Sequence, residues 1–163
     1  MDFKTIRVNI PEGANIILGQ THFIKTAEDL YEILACAGSR IQFGVAFTEA
    51  SGPCLIRHEG NDSSLTEAAV GILQSIGAGH VFAILLREAF PINVLNAVKM
   101  CPEVCRIYCA TANPLEVVVA ETEQGRGVMG VIDGASPKGV ESDSDKTARK
   151  NLLRQFGYKV KMS

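Results

Sequence analysis

The sequence predicts a single α/β domain of mixed, α+β-like character, a mixed β-sheet with about four helices packed on it. Helix-period segments alternate with strand-period segments over the first two thirds of the chain, and three strand-like runs then follow with no helix between them. Val81 to Leu86 is a continuous apolar run, the pattern of a strand buried on both faces at the middle of a sheet. A chain of 163 residues is the size of one domain, so 1–163 is read as one unit.

Apolar residues two apart (Ile6, Val8, Ile10) predict a first strand over Phe3 to Ile10, ended by Pro11-Glu12-Gly13; a short apolar run, Asn15 to Leu18, follows. Thr26 is the expected N-cap of a helix whose first turn carries Glu28 and Asp29. Leu30, Ile33, Leu34 and Ala37 form its apolar face, and Gly38 stops it. Ile41 to Phe47 and Cys54 to His58 read as strands joined by the turn Ala50-Ser51-Gly52-Pro53, with Gly60-Asn61-Asp62 breaking the second. Ser64 and Glu67 have capping-box spacing ahead of Leu65, Ala68, Ala69, Ile72, Leu73 and Ile76, a helix closed by Gly77.

After the buried strand, Pro91 opens a third helix running to about Met100, where Pro102 forbids continuation. Val104 to Ala110, Leu115 to Glu121 and Gly127 to Ile132 are the three consecutive strands, and a polar loop leads to a terminal helix over about Asp145 to Phe156, with Gly157 beyond it.

Composition excludes several classes of function. Hydrophobic residues make up 47% and charged residues 21%, an ordinary globular balance. A net charge of -2 with no basic stripe argues against nucleic acid as a partner; only Lys146 to Lys161 is locally basic, and it reads as a capped helix. The chain begins in a strand pattern without a signal core or bilayer-length apolar stretch, so no membrane is expected and a cytoplasmic location is. Five cysteines, an odd number in a chain that needs no staples, are expected as reduced thiols. Cys101, Cys105 and Cys109 lie four apart, which suits no familiar zinc or cluster spacing; Cys105 and Cys109 are read as buried small residues sharing a strand face with Ile107, and no metal is assigned.

Gly125-Arg126-Gly127-Val128-Met129-Gly130 matches the dinucleotide fingerprint by letter, but Val131-Ile132-Asp133-Gly134 continues as strand and turn where the fingerprint needs a helix. It is read as a hairpin with Arg126 exposed at its tip. No P-loop and no protein-kinase signature is present.

His80, in Gly77-Ala78-Gly79-His80-Val81-Phe82, stands at the start of the buried strand, where it could point from a rigid scaffold into a cleft that the glycines open to a ligand. A structural, hydrogen-bonded histidine fits as well. Imidazole is one of the few side chains that accepts a phosphoryl group covalently. His22 lies in the polar connection Gly19-Gln20-Thr21-His22 just before a helix start whose N–H groups could face an anion, with Lys25 adding charge; an ordinary loop histidine is the alternative. His58 reads as a surface residue. Thr111 and Asn113 could hydrogen-bond a sugar or base, and Glu49, Ser51 and Asp133 could hold ribose hydroxyls, though turn chemistry explains each equally.

Taken together, Gly19 to Thr26, Phe43 to Phe47 with Glu49 to Gly52, Gly79 to Phe82, Phe90 to Asn96, Ala110 to Pro114, Gly125 to Gly127 and Gly130 to Asp133-Gly134 resemble the adenosine-specific kinase family. These segments come in order and span the chain from about residue 3 to 160. The resemblance implies an α/β homo-oligomer, trimer or hexamer, that binds adenosine and AMP rather than ADP or ATP, with a histidine that carries a phosphoryl group. His80 is preferred for that role, with His22 the alternative. Gln20, Lys25, Glu49, Ser51, Thr111, Asn113, Arg126 and Asp133 are the expected substrate contacts, with Arg126 or Lys25 neutralising the transferring group. No cofactor is indicated, and no phosphoryl donor is identified. The competing expectation is a non-catalytic adenosine or AMP sensor in which the ligand acts on a homo-oligomer.

Overall fold

The computed structural model describes residues 1–160; the last position of the basic tail, Lys161, lies outside them. The elements run β1 (Asp2–Val8), β2 (Asn15–Thr21), α1 (Thr26–Ala37), β3 (Gln42–Thr48), β4 (Ile56–Gly60), α2 (Ser63–Ile76), β5 (Val81–Arg87), α3 (Pro91–Lys99), β6 (Val104–Thr111), β7 (Leu115–Glu121), β8 (Arg126–Asp133) and α4 (Asp143–Gln155).

The fold class is α+β, as the sequence predicts, but the strands divide into two sheets whose ladders are all antiparallel. One has five strands in the order β4-β3-β5-β2-β6; the other has three, β1-β7-β8. The continuous apolar strand β5 is the central one of the larger sheet, and its residues Val81 to Leu86 are buried on both faces. The run Asn15 to Leu18 extends into a full strand, β2, seated between β5 and β6.

Two apolar layers hold the domain together. On one face of the larger sheet, Leu30 and Leu34 of α1 and Val94 and Val98 of α3 pack against Phe43, Phe82 and Ile84. On the other, Leu65, Ala69, Leu73 and Ile76 of α2 and Leu115, Val117 and Val119 of β7 cover Leu18, Ala83 and Leu85. The helical periodicity read from these residues is thus the periodicity of burial. Helix α4 differs from the other three, since it buries none of its residues.

Local chemistry corrects several expectations. Thr26 is the first helical residue rather than the cap: its hydroxyl turns back to Thr21 Oγ1 (2.5 Å) and Phe23 O (2.5 Å). Asp62, not Ser64, caps α2, accepting from Leu65 N at 2.9 Å, while Ser64 Oγ donates to the same carboxylate. Gly77 closes α2 in the left-handed conformation, as expected. Cys109 is buried but Cys105 is exposed, because a bulge sets Cys109 opposite Leu18 and Ile107 opposite Gly19 and so breaks the face they were expected to share. No described helix is long and apolar enough to cross a membrane.

Candidate functional site

One rim of the five-stranded sheet collects the ends of β2 and β3 and the starts of β4, β5 and β6. His80 sits there at φ 57°, a left-handed conformation that costs a non-glycine residue roughly 1–2 kcal/mol. Its N–H donates to Thr48 O (2.8 Å), and its carbonyl accepts from Thr21 N (3.0 Å). Buried Thr48 fastens the loop from both sides, its hydroxyl donating to Ala78 O (2.8 Å) and accepting from Val81 N (2.9 Å). The half-buried imidazole stacks on Phe47, centroids 6.0 Å apart. The flanking glycines make room for protein rather than ligand: a Cβ on Gly79 would come 2.8 Å from Ala50 Cβ, and one on Gly77 would come 3.1 Å from Arg126 Nη1.

His22 lies on the same rim, exposed, its N–H bonded to Glu103 O (3.2 Å). Below it, the buried Glu103 carboxylate accepts from Lys25 Nζ (2.9 Å) and from Cys101 Sγ (2.8 Å). Lys25 also pairs with Asp29. Burial works to raise the Glu103 pKa, but the hydrogen bonds from Cys101 and Lys25 prevail and hold it well below the usual carboxylate range. Burial and the neighbouring carboxylate push the Cys101 thiol up to about 11. Asp29, Cys101 and Glu103 bring ligating atoms within 4.8 Å of one another, with the Lys25 ammonium as their cation. Lys25 is therefore a member of an ion-pair network, held above its ordinary pKa by Asp29 and Glu103.

A cleft of about 530 Å³ reaches this rim at Gly79; Glu49, Ala50, Cys54, Thr122 and Arg126 are among its other lining residues, and the His80 ring is not one of them. Glu49 accepts from Leu55 N (2.8 Å) and Arg57 Nε (2.9 Å), which lower its pKa. Arg126 is not exposed at the hairpin tip. It opens β8, pairs with Glu121, and directs Nη1 at Ser75 O (3.3 Å) and Ile76 O (3.4 Å), satisfying carbonyls at the end of α2. Gln20 is half-buried on the same rim, where its Oε1 accepts from Tyr108 Oη (3.4 Å). Ser51 is exposed in the β3–β4 turn.

Thr111, Asn113 and Asp133 form a second cluster at the opposite rim. Asp133 Oδ1 accepts from Thr111 Oγ1 (2.8 Å) and Asn113 Nδ2 (3.1 Å). In the β2 ladders Thr111 pairs with Ile16, whereas Thr21 contacts His80, so five residues of strand, roughly 17 Å at ~3.3 Å per residue, part the two groups. The structure thus brings His80, His22, Gln20, Lys25, Glu49 and Arg126 to one rim and Thr111, Asn113 and Asp133 to the other. A cleft of about 470 Å³ lies at that second rim, lined by Phe90, Ile92, Thr111, Asn113, Phe156 and Tyr158, among others.

The family model described as adenosine specific kinase matches residues 6–159. The chain belongs to the adenosine-specific kinase family. Within the solved structures, this family member is similar to the PH1918 protein from Pyrococcus horikoshii OT3, with 45% identity, a TM-score of 0.93, and coverage of 98% of this chain and 99% of that one. A comparison with curated proteins finds no match.

Several groups that shape the site of this adenosine-specific kinase family member were missed in the sequence. Thr48 and Phe47 read as ordinary strand residues, and nothing local marks them as the clamp and platform of His80. Glu103 carried a signal, a carboxylate beside Pro102 at the entry to an apolar strand, but its partners Lys25 and Cys101 are distant or unremarkable in sequence. Phe90 and Tyr158 are distant in sequence and meet at the second cleft only through the fold.

Proposed function

We propose that this chain binds adenosine and AMP and transfers a phosphoryl group through His80. The observation that carries the reading is the His80 conformation: a left-handed, non-glycine backbone fixed by Thr48 and Thr21, with its ring set on Phe47. Strain of this kind persists where the surroundings over-determine it, and such positions cluster at functional sites. Membership of a family described as adenosine specific kinase supports the nucleoside as acceptor.

On this reading a ring nitrogen of His80 takes the phosphoryl group from a phosphoanhydride or acyl phosphate, whose P–O bond breaks as the P–N bond forms and whose phosphate or carboxylate leaves. The P–N bond then breaks as the 5′-hydroxyl oxygen of adenosine forms the new P–O bond, and the hydroxyl proton goes to the departing ring nitrogen. Arg126, lining the cleft, offers positive charge to the transferring group, and Glu49 on the same wall orients a hydroxyl. Thr111, Asn113 and Asp133, expected from the sequence as nucleoside contacts, stand at the opposite rim and do not reach an acceptor held at His80 within one chain. The protein works as a homo-oligomer, a reading supported by the apolar Phe3, Met129 and Ile132 that the three-stranded sheet leaves exposed.

A second reading, a nucleoside sensor without turnover, is favoured by the distance between His80 and the Thr111 cluster within one chain. Thermal denaturation with adenosine, AMP, ADP, ATP and inosine tests the shared part. Adenosine and AMP at 100 times their Kd stabilise by about 2.7 kcal/mol, raising Tm. An equal shift with all five ligands, or none with any, would remove both readings. The readings then part on whether AMP forms.

A further inference from the structure

Asp29, Cys101 and Glu103 bring a thiol and two carboxylates to one point from two separate parts of the fold. Asp29 stands in the first turn of α1. Cys101 and Glu103 flank Pro102 in the turn that joins α3 to β6, where Cys101 N donates to Val98 O (3.1 Å) and Val104 N donates to Cys101 O (3.0 Å). Both residues are buried, and Cys101 Sγ lies 2.8 Å from Glu103 Oε2. All three ligating atoms lie within 4.8 Å of one another. Zinc bonds of ~2.0–2.3 Å set neighbouring ligands roughly 3–4 Å apart, so a closure of about an ångström seats one ion among them. The four-residue spacing of Cys101, Cys105 and Cys109 speaks against a site made of cysteines; this cluster takes only one of them.

The cation now at the cluster is the Lys25 ammonium, paired with both Asp29 and Glu103. Its side chain is 54% exposed on a flexible stem, so it has a path into water. One sulfur and two oxygens suit zinc, whereas magnesium and calcium take oxygen alone. Three protein ligands and a side facing solvent match the zinc sites that keep one position open. From this arrangement we infer that Asp29, Cys101 and Glu103 form an exchangeable zinc site in which the ion replaces the Lys25 ammonium. As the Zn–S bond forms, the Cys101 S–H bond breaks and its proton passes to water; the ammonium swings out with its own protons. Net charge at the cluster is unchanged: two carboxylates face one ammonium before the exchange, and two carboxylates with a thiolate face a dication after it. The buried Glu103 carboxylate therefore has a cation in either state.

Cobalt is the probe, because a Co–thiolate bond absorbs in the near ultraviolet and zinc displaces it silently. Co²⁺ is titrated into the reduced full-length protein and into its Cys101→Ser, Cys105→Ser, Asp29→Asn and Lys25→Ala variants, followed by back-titration with Zn²⁺. Wild type and Cys105→Ser are expected to bind one ion per chain with the thiolate band, and Zn²⁺ to abolish it. Cys101→Ser loses the band, and Asp29→Asn binds about tenfold or more weakly. Lys25→Ala binds severalfold more tightly, by the weight of a part-exposed ion pair that the metal no longer displaces. That gain separates an exchange site from adventitious binding to exposed thiols. No thiolate band in wild type or Lys25→Ala, a band that follows Cys105 instead of Cys101, or weaker binding in Lys25→Ala than in wild type would each overturn the inference.

Discussion

The imidazole of His80 lies over the ring of Phe47 with the two planes 19° from parallel, so a core residue of β3 sets the orientation of the side chain assigned to phosphoryl transfer. Phe47 is 1% exposed and cannot turn away. The plane of the imidazole is thereby restricted before any ligand arrives, a form of the preorganisation that phosphoryl transfer rewards.

Strain at this residue predicts a separation of stability from function. His80→Gly relieves the left-handed backbone at φ 57°, whereas His80→Ala keeps a Cβ in it. In urea denaturation the glycine variant should be the more stable of the two by about 1 kcal/mol, while both lose phosphate incorporation. Equal stabilities would mean that the backbone at residue 80 relaxes when the imidazole is removed.

Glu103 predicts an acid-sensitive rim. Its pKa is depressed in the folded state from an ordinary 4.5, so its contribution is fully present above that value and is lost as pH falls through the lower, folded one. Glu103→Gln should cost about 1–3 kcal/mol at neutral pH, because the amide carries no charge to pair with Lys25 and keeps one acceptor oxygen where the carboxylate gives one each to Lys25 and Cys101, and should flatten the fall in stability below pH 4.5. Denaturant melts of both proteins across that range check the slope.

Much of the fold was legible and much of the site was not, for one physical reason. Burial periodicity, glycine stops and proline starts are local, so α2 with Gly77, α3 with Pro91 and the central strand β5 could be read residue by residue. Strand pairing is not local: nothing within Asn15 to Leu18 says that it will lie between β5 and β6, or that the last three strands will join β1 in a separate sheet. The same limit splits the candidate site. His80 and Thr111 each looked like a strand-end residue beside a turn, and only the register of β2 shows that they stand at opposite rims. Arg126 looked exposed because its acceptors, Ser75 and Ile76, lie fifty residues away.

Two glycines should respond in opposite ways to alanine. A Cβ on Gly44 would overlap the backbone of Leu65 and Thr66, where α2 lies directly on β3, and Gly44→Ala should lose about 1–3 kcal/mol or fail to fold. Gly71, inside α2 with nothing within 4 Å of the added atom, should gain about 0.5–1 kcal/mol. Thermal denaturation of both variants decides whether helix packing on β3 limits stability as the structure requires.

Arg126→Ala should cost only about 1 kcal/mol in stability, since the guanidinium is part-exposed and its partners can turn to water. Its effect on phosphate transfer should be larger, at least tenfold in rate, because no other described cation lines the cleft at Gly79. Arg126→Lys restores charge without the fork, and a partial recovery of rate would separate the electrostatic from the structural role.

The central claim is that His80 carries the phosphoryl group. Intact mass of the purified protein is measured before and after incubation with phosphoanhydride and acyl-phosphate donors, the phosphate is mapped under conditions that preserve phosphohistidine, and the labelled protein is chased with adenosine. The account predicts an acid-labile phosphate on His80 that disappears as AMP forms. Phosphate on His22 instead, or adenosine binding with no phosphate acquired from any of these donors, would contradict it.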